Sequence, residues 1–303
     1  MIVGSRSIAL GLSLTLAGCT VVPQAAPLRA PEPAPIQPLA APPALVVSLQ
    51  GEFLLRGSFE QGGVVFGTAP AGTVSLRLDG KPLRMAEDRS FLIGFGRDHR
   101  PEAVIEARGE AGEPLRRTLH ISPRKWDIQS LPTLPKGTTP TPEFLRRREA
   151  ELRQITAARA MDTGADGWRQ RFIWPVTGRI SGVFGSQRIY AGEPGAYHSG
   201  VDVARPTDTP VKAPADGIVI LAASSPFTLE GNLLMIDHGM GLNSAFLHLS
   251  RIDVKVGDRV ARGQVVGAIG STGRATGPHL HWSMKWQDER IDPAKLAGPM
   301  SAS

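Results

Sequence analysis

The 303 residues carry 34 Lys and Arg against 28 Asp and Glu, a formal net charge of +6, with 41% hydrophobic and 20% charged residues. That balance fits a globular chain of about two domains, and a single cysteine, Cys19, excludes an intramolecular disulfide framework. The basic excess suits nucleic acid, an anionic membrane face or an acidic cell wall, and charge alone does not choose between them.

The chain opens with Arg6, a short apolar run from Ile8 to Ala17, then Gly18 and Cys19. The run is too short to span a bilayer and reads as a secretory signal over residues 1–18. Leu16-Ala17-Gly18-Cys19 resembles a bacterial lipobox. That resemblance implies cleavage before Cys19, lipidation of its sulfur and a membrane anchor. Thr20 follows where an aspartate often marks inner-membrane retention, so the expectation is a periplasmic, outer-membrane lipoprotein. Residues 19–44 hold prolines at 23, 27, 31, 33, 35, 38, 42 and 43. Such a stretch favours polyproline II and a tether of roughly 70 Å.

Residues 45–123 read as a small β-sandwich. Leu45–Leu49, Val74–Leu78, Ser90–Gly94 and Val104–Ala107 are short strand-like runs, separated by turn signals such as Asp79-Gly80. His99 and His120 are far apart in sequence and suit surface or packing roles, so the region is expected to bind or position something. Residues 124–170 read as a linker carrying a helix over 141–163, with Thr141 as N-cap and Pro142 in the first turn. Arg146, Arg147, Arg148 and Arg153 give that helix a basic, solvated face. Placed directly before the C-terminal region, it is a candidate cover for any groove there.

The chemistry concentrates in residues 171–297. Five of the seven histidines lie between His198 and His281. His198-Ser199-Gly200-Val201-Asp202 reads as a loop entering a strand. His279-Leu280-His281 lies on a strand, where residues two apart share a face. Two imidazoles and a carboxylate form a common zinc set, and three protein ligands with an open fourth position mark a catalytic site. If His198, Asp202 and His281 hold zinc, then His248 and His279 remain as acid/base groups beside it.

An ordered series of motifs extends this reading: Phe184-Gly185-Ser186-Gln187-Arg188, His198 to Asp202, Pro210 to Gly217, Gly231-Asn232, Ile236-Asp237-His238-Gly239, His248-Leu249-Ser250, Val256 to Val260, Gly270 to Arg274, and His279 to His281. With these, residues 172–295 resemble the lysostaphin-type, or LytM-type, zinc endopeptidases. The resemblance implies zinc ligands at His198, Asp202 and His281 and catalytic histidines at His248 and His279. It also implies a structural His238 and groove-shaping roles for Arg188 and Asn232. Phe246 departs from the tyrosine that relatives often carry there. Either of the only two tyrosines, Tyr190 and Tyr197, is a candidate donor to a developing oxyanion, with packing the competing role.

The implied fold is mostly β: the small sandwich, the helical linker and a C-terminal antiparallel β catalytic domain related to the hybrid motif of biotinyl and lipoyl carriers. The implied activity is zinc-dependent cleavage of peptide cross-links in bacterial peptidoglycan, with the D-alanyl bond to diaminopimelate as target. The competing reading is a non-catalytic wall-binding regulator that activates cell-wall amidases, but all five site residues are present. A carrier would need a lysine exposed at a tight hairpin beside methionine, and Lys212 and Lys255 lack that setting. No nucleic-acid motif accompanies the positive charge.

Overall fold

The computed structural model describes residues 48–134 and 140–300. Cys19, the expected signal segment and the tether over 19–44 lie outside the described residues. Among those described, no helix is long and apolar enough to cross a membrane.

Two small antiparallel sheets build the N-terminal region. One has the order β1-β2-β5, from β1 (Leu54–Gly57), β2 (Val64–Thr68) and β5 (Ser90–Gly94). The other has the order β4-β3-β6-β7, from β3 (Ser75–Leu78), β4 (Lys81–Leu83), β6 (Glu102–Arg108) and β7 (Leu115–His120). Asp79 (φ 50°) and Gly80 (φ 77°) make the β3–β4 turn, the left-handed pair that an Asp-Gly hairpin requires. Along β6, Ala103, Ile105 and Ala107 point inward and are fully buried, while Glu106 on the outer face is held by Arg108 and Arg116 at 2.7 and 2.6 Å. Phe91, Leu92 and Ile93 in β5 are buried on both faces. The outer cover comes from the C-terminal region, where Trp286 and Ile291 press so closely on Gly94 that a Cβ there would collide with both. The two β regions therefore share one hydrophobic core.

The segment read as linker contributes structure of its own. β8 (Ile128–Leu131) pairs in parallel with β10 (Gln187–Tyr190), and β11 (Glu193–Pro194) flanks β10 on the other side. Ile128 is exposed, so no burial pattern marks this strand, which is set by a partner nearly sixty residues away. Helix α1 (Pro142–Arg159) starts as expected, with Thr141 Oγ1 accepting from the Phe144 N–H at 3.1 Å, a cap worth about 1 kcal/mol. It buries Ile155 and Ala158 against Ile220, Phe227, Leu233 and Met235.

A ten-stranded sheet dominates the C-terminal region. Its main path runs β17-β14-β15-β16-β19-β12-β9, with β13 and β18 paired to each other, β18 also on β16, and β20 on β19. The strands are β9 (Arg179–Gly182), β12 (Gly200–Ala204), β13 (Pro210–Lys212), β14 (Gly217–Ala222), β15 (Asn232–Gly239), β16 (Leu242–Ile252), β17 (Arg259–Val260), β18 (Val265–Ile269), β19 (His279–Trp286) and β20 (Glu289–Ile291). A short helix, α2 (Pro293–Ala297), follows. Val201, Val203, Phe246, Leu280 and Trp282 fill the core face, each large side chain contributing about 1.5–3 kcal/mol on burial. The opposite face carries Asp202, Leu247 and His281 in one cross-strand row. Arg124 bonds Asp292 at 2.9 Å and Lys295 bonds Glu60 at 2.8 Å, tying the N-terminal sheets to the end of the chain.

Candidate metal centre and its flanking histidines

Register sets the centre. Asp202 on β12 pairs with His281 on β19, so both side chains leave the sheet on the same face. His198 reaches them from the loop before β12. That loop is fixed by two backbone bonds, Gly185 N–H to His198 O at 2.8 Å and His198 N–H to Ser186 O at 2.7 Å. Buried Arg97, from the N-terminal region, holds the same loop by donating to Gly185 O at 2.9 Å and Gln187 Oε1 at 3.0 Å.

Three ligand atoms converge. Asp202 Oδ1 lies 3.1 Å from His198 Nε2 and 2.8 Å from His281 Nδ1, and the two nitrogens are 3.0 Å apart. Bonds of 2.0–2.2 Å from a tetrahedral zinc would set such atoms about 3.3 Å from one another. The donor set and its spacing therefore fit that ion, and these three residues are the group able to hold a metal among the described residues. His198 Nδ1 sits 3.0 Å from Val183 O, so it carries the proton and leaves Nε2 free as a ligand. Gly182 and Gly200 make room: a Cβ on the first would strike Asp202 Oδ2, and one on the second would strike Trp282 O and crowd His281 Nε2.

Burial pulls the His198 imidazole toward neutrality, but the Asp202 carboxylate outweighs it and the net shift is upward. Burial opposes charge on Asp202 too, yet hydrogen bonds from His198 and His281 hold its carboxyl well below the usual range. Burial keeps His281 lowered despite Asp202. The site thus holds a fixed anion between two imidazoles, as a cation requires.

His248 and His279 stand beside this centre, their ring centroids 4.9 Å apart, and the His248 ring is 6.3 Å from that of His281. Strand alternation alone would send His248 into the core with Phe246. Instead β16 bulges against β15, where Leu234 pairs with Phe246 and Asn232 with Leu249: Phe246 and Leu249, three residues apart, both face the core, so Leu247 and His248 share the metal face. His248 takes φ 65° to do so. Its Nδ1 lies 2.8 Å from Thr272 O, and His279 Nδ1 lies 2.8 Å from Gly277 O. A carbonyl only accepts, so both Nδ1 atoms are protonated and both Nε2 atoms are free to take a proton. Burial, with the neighbouring imidazoles, lowers His248 to about 4, so it is neutral at physiological pH.

The structure thus brings all five sequence-identified residues together. His238 is elsewhere, fully buried between Asp216 O and Ser244 Oγ at 2.8 Å each. Asn232 donates from its side chain to Leu249 O at 2.8 Å and so staples the bulge, while Arg188 donates to Gln129. Tyr197 is half-buried, stacked edge-on to Phe184 and under the Arg97 guanidinium. The carbonyls of Val183, Thr272 and Gly277, which set three imidazoles, were not found from sequence, because a backbone oxygen leaves no residue signature.

Residues 196–293 match peptidase family M23. A crystal structure described as that of a putative peptidase M23 from Pseudomonas aeruginosa is 33% identical, with a TM-score of 0.59 over 80% of this chain and 96% of that one. The chain belongs to peptidase family M23. Similar relatives include the peptidoglycan DD-endopeptidase ShyA of Vibrio cholerae, 38% identical over 135 residues, which are 44% of this chain and 31% of ShyA. Another is the DD-carboxypeptidase/endopeptidase Mpg of Neisseria meningitidis, 37% identical over 121 residues, 40% of this chain and 27% of Mpg. The chain thus spans about a third or less of the length of these curated relatives. β8, α1 and Arg97 all lie outside the matched M23 residues.

Proposed function

We propose that the chain is a zinc metalloendopeptidase that hydrolyses peptide cross-links of bacterial peptidoglycan, acting as a D,D-endopeptidase on the D-alanyl–diaminopimelate bond. The observation that carries this reading is the convergence of the His198, Asp202 and His281 ligand atoms within 3.1 Å, beside two imidazoles whose Nε2 atoms are free. Zinc, when bound, supplies Lewis acidity and brings the pKa of a coordinated water toward neutrality. His198 Nε2, Asp202 Oδ1 and His281 Nδ1 would hold it. His248 and His279 act as the proton-handling pair: one Nε2 accepts the proton of the attacking water and a protonated imidazole returns one to the leaving amine. The carbonyls of Thr272 and Gly277 keep both rings in the tautomer that permits this. The choice of substrate is supported by the names of the relatives ShyA and Mpg and by the +6 charge, suited to an anionic wall.

Location in the cell envelope, with an outer-membrane lipid anchor at Cys19, belongs to the same proposal. Incorporation of labelled fatty acid into the full-length protein, and its loss in Cys19→Ala, tests the anchor. Digestion of cross-linked muropeptide dimers by the full chain tests the activity. Release of monomers that stops on chelation and returns with zinc supports it. Intact dimers from a protein carrying one zinc per chain would favour wall binding or amidase activation instead.

A further inference from the structure

His248 owes its place to a loop that helix α1 holds from outside the matched M23 region. Its backbone N–H donates to Glu230 O at 2.8 Å, and the Glu230 side chain takes a two-pronged bond from Arg148, at 2.6 Å on each arm. Both side chains of that pair are only 15% exposed, so water competes weakly for it. Arg148 also reaches Glu151, at 3.1 Å. Glu151 Oε1 in turn accepts from both the N–H and the hydroxyl of Thr228, each at 2.7 Å, and Arg147 donates to Pro226 O at 2.9 Å. Phe227, on the same loop, is buried against Ile155 and Ala158 of the helix.

The clamped loop then presses on the segment that sets the His248 tautomer. Gly231 (φ 66°) abuts Thr272 so closely that a Cβ would strike its backbone, and Arg274 N–H donates to Leu229 O at 3.0 Å. Thr272 O is the acceptor for His248 Nδ1. One loop therefore fixes both the bulged backbone of His248 and the carbonyl that orients its ring. Glu230 reaches His248 only through its carbonyl, so the ion pair acts by position and not by charge transfer.

We propose that Arg148, through Glu230 and with Glu151, is a positioning residue for His248, which makes helix α1 part of the catalytic apparatus; this rests on the endopeptidase reading above. An imidazole held in place by a shell of contacts loses about ten- to a hundredfold in rate when that shell loosens.

The test compares full-length wild type with Arg148→Met, Arg148→Lys, Glu230→Gln and, as a control, Arg153→Met, whose exposed partner Glu149 touches nothing in the site. The readouts are kcat and KM on a cross-linked muropeptide dimer, zinc per chain, and the 15N imidazole signals of His248. The expected result is a kcat reduced about tenfold or more in Arg148→Met, with KM within about twofold and zinc unchanged. The His248 signals should shift, Arg148→Lys should recover part of the loss, and Arg153→Met should match wild type. Unchanged kcat and unmoved His248 signals in a folded, zinc-bearing Arg148→Met would overturn the proposal. Should that variant not fold, Glu230→Gln reads the same quantities, because it preserves the loop's shape. If wild type leaves the dimer intact, the activity reading fails by itself, and the His248 signals alone then decide the positioning role.

Discussion

Asp202 and His281 face each other in register across β12 and β19, with Asp202 Oδ1 2.8 Å from His281 Nδ1 and 3.1 Å from His198 Nε2. The carboxylate is the common partner of both imidazoles. Asp202→Ala should therefore abolish tight zinc binding, leaving two facing imidazoles without an anion. Metal analysis of the purified variant should show well below one zinc per chain, and activity should fall with it.

The flanking histidines should behave differently. On the proposed mechanism, His248→Ala and His279→Ala each remove a proton-handling group while sparing the three ligand atoms. Each should lose about 10²–10⁴ in kcat while zinc stays at the wild-type level. Zinc loss in either variant would show that the imidazole serves the metal instead.

Space is as specific as charge at this centre. A Cβ on Gly182 would collide with Asp202 Oδ2, with His198 Cε1 close by at 3.1 Å. Gly182→Ala should turn the carboxylate and weaken zinc binding about ten- to a hundredfold, read by competition with a chromophoric chelator, without unfolding the sheet edge on which β9 lies.

The N-terminal sheets should matter to the metal as well. Arg97 donates to Gly185 O, and the Gly185 N–H donates to His198 O, so the loop that delivers His198 hangs on a residue far from it in sequence. Arg97→Met should weaken zinc binding in the same competition assay while the Tm of the apoprotein falls by only a few degrees.

A pH effect follows from His238, fully buried and lowered to about 4 by burial against the usual 6.5. Above pH 6.5 the ring is neutral whether the chain is folded or not, and its stabilisation is complete. As pH falls toward 4 the unfolded chain takes up the proton first, so stability drops, by on the order of 3 kcal/mol at about 1.4 kcal/mol per pKa unit. Thermal melts between pH 7 and 4 should show a steeper decline for wild type than for His238→Gln. Equal slopes would show that His238 does not drive the acid loss.

The metal centre was legible in the sequence because its parts are side chains in diagnostic spacing. His279 and His281 share a face by strand alternation, and Asp202 follows His198 closely enough to meet it at the mouth of β12. The place of His248 was not legible from alternation, since a bulge overrides it, and only its motif pointed to the site. The strand over Ile128–Leu131 was hidden because its partner is remote and it buries no apolar stripe. From sequence, Arg148 reads as one of four arginines on a solvated basic face. The helix sequence shows the arginine but not the loop that folds back onto it 82 residues later. The shared core under Gly94 was likewise invisible, because Trp286 and Ile291 reach β5 only in three dimensions.

The most direct test of the account is digestion of purified cross-linked muropeptide dimers by the full-length protein, run untreated, after chelation, after zinc is restored, and with His279→Ala. Monomers are expected in the untreated and zinc-restored samples only, with the variant still carrying zinc. Intact dimers in every sample, from protein with one zinc per chain, would contradict it.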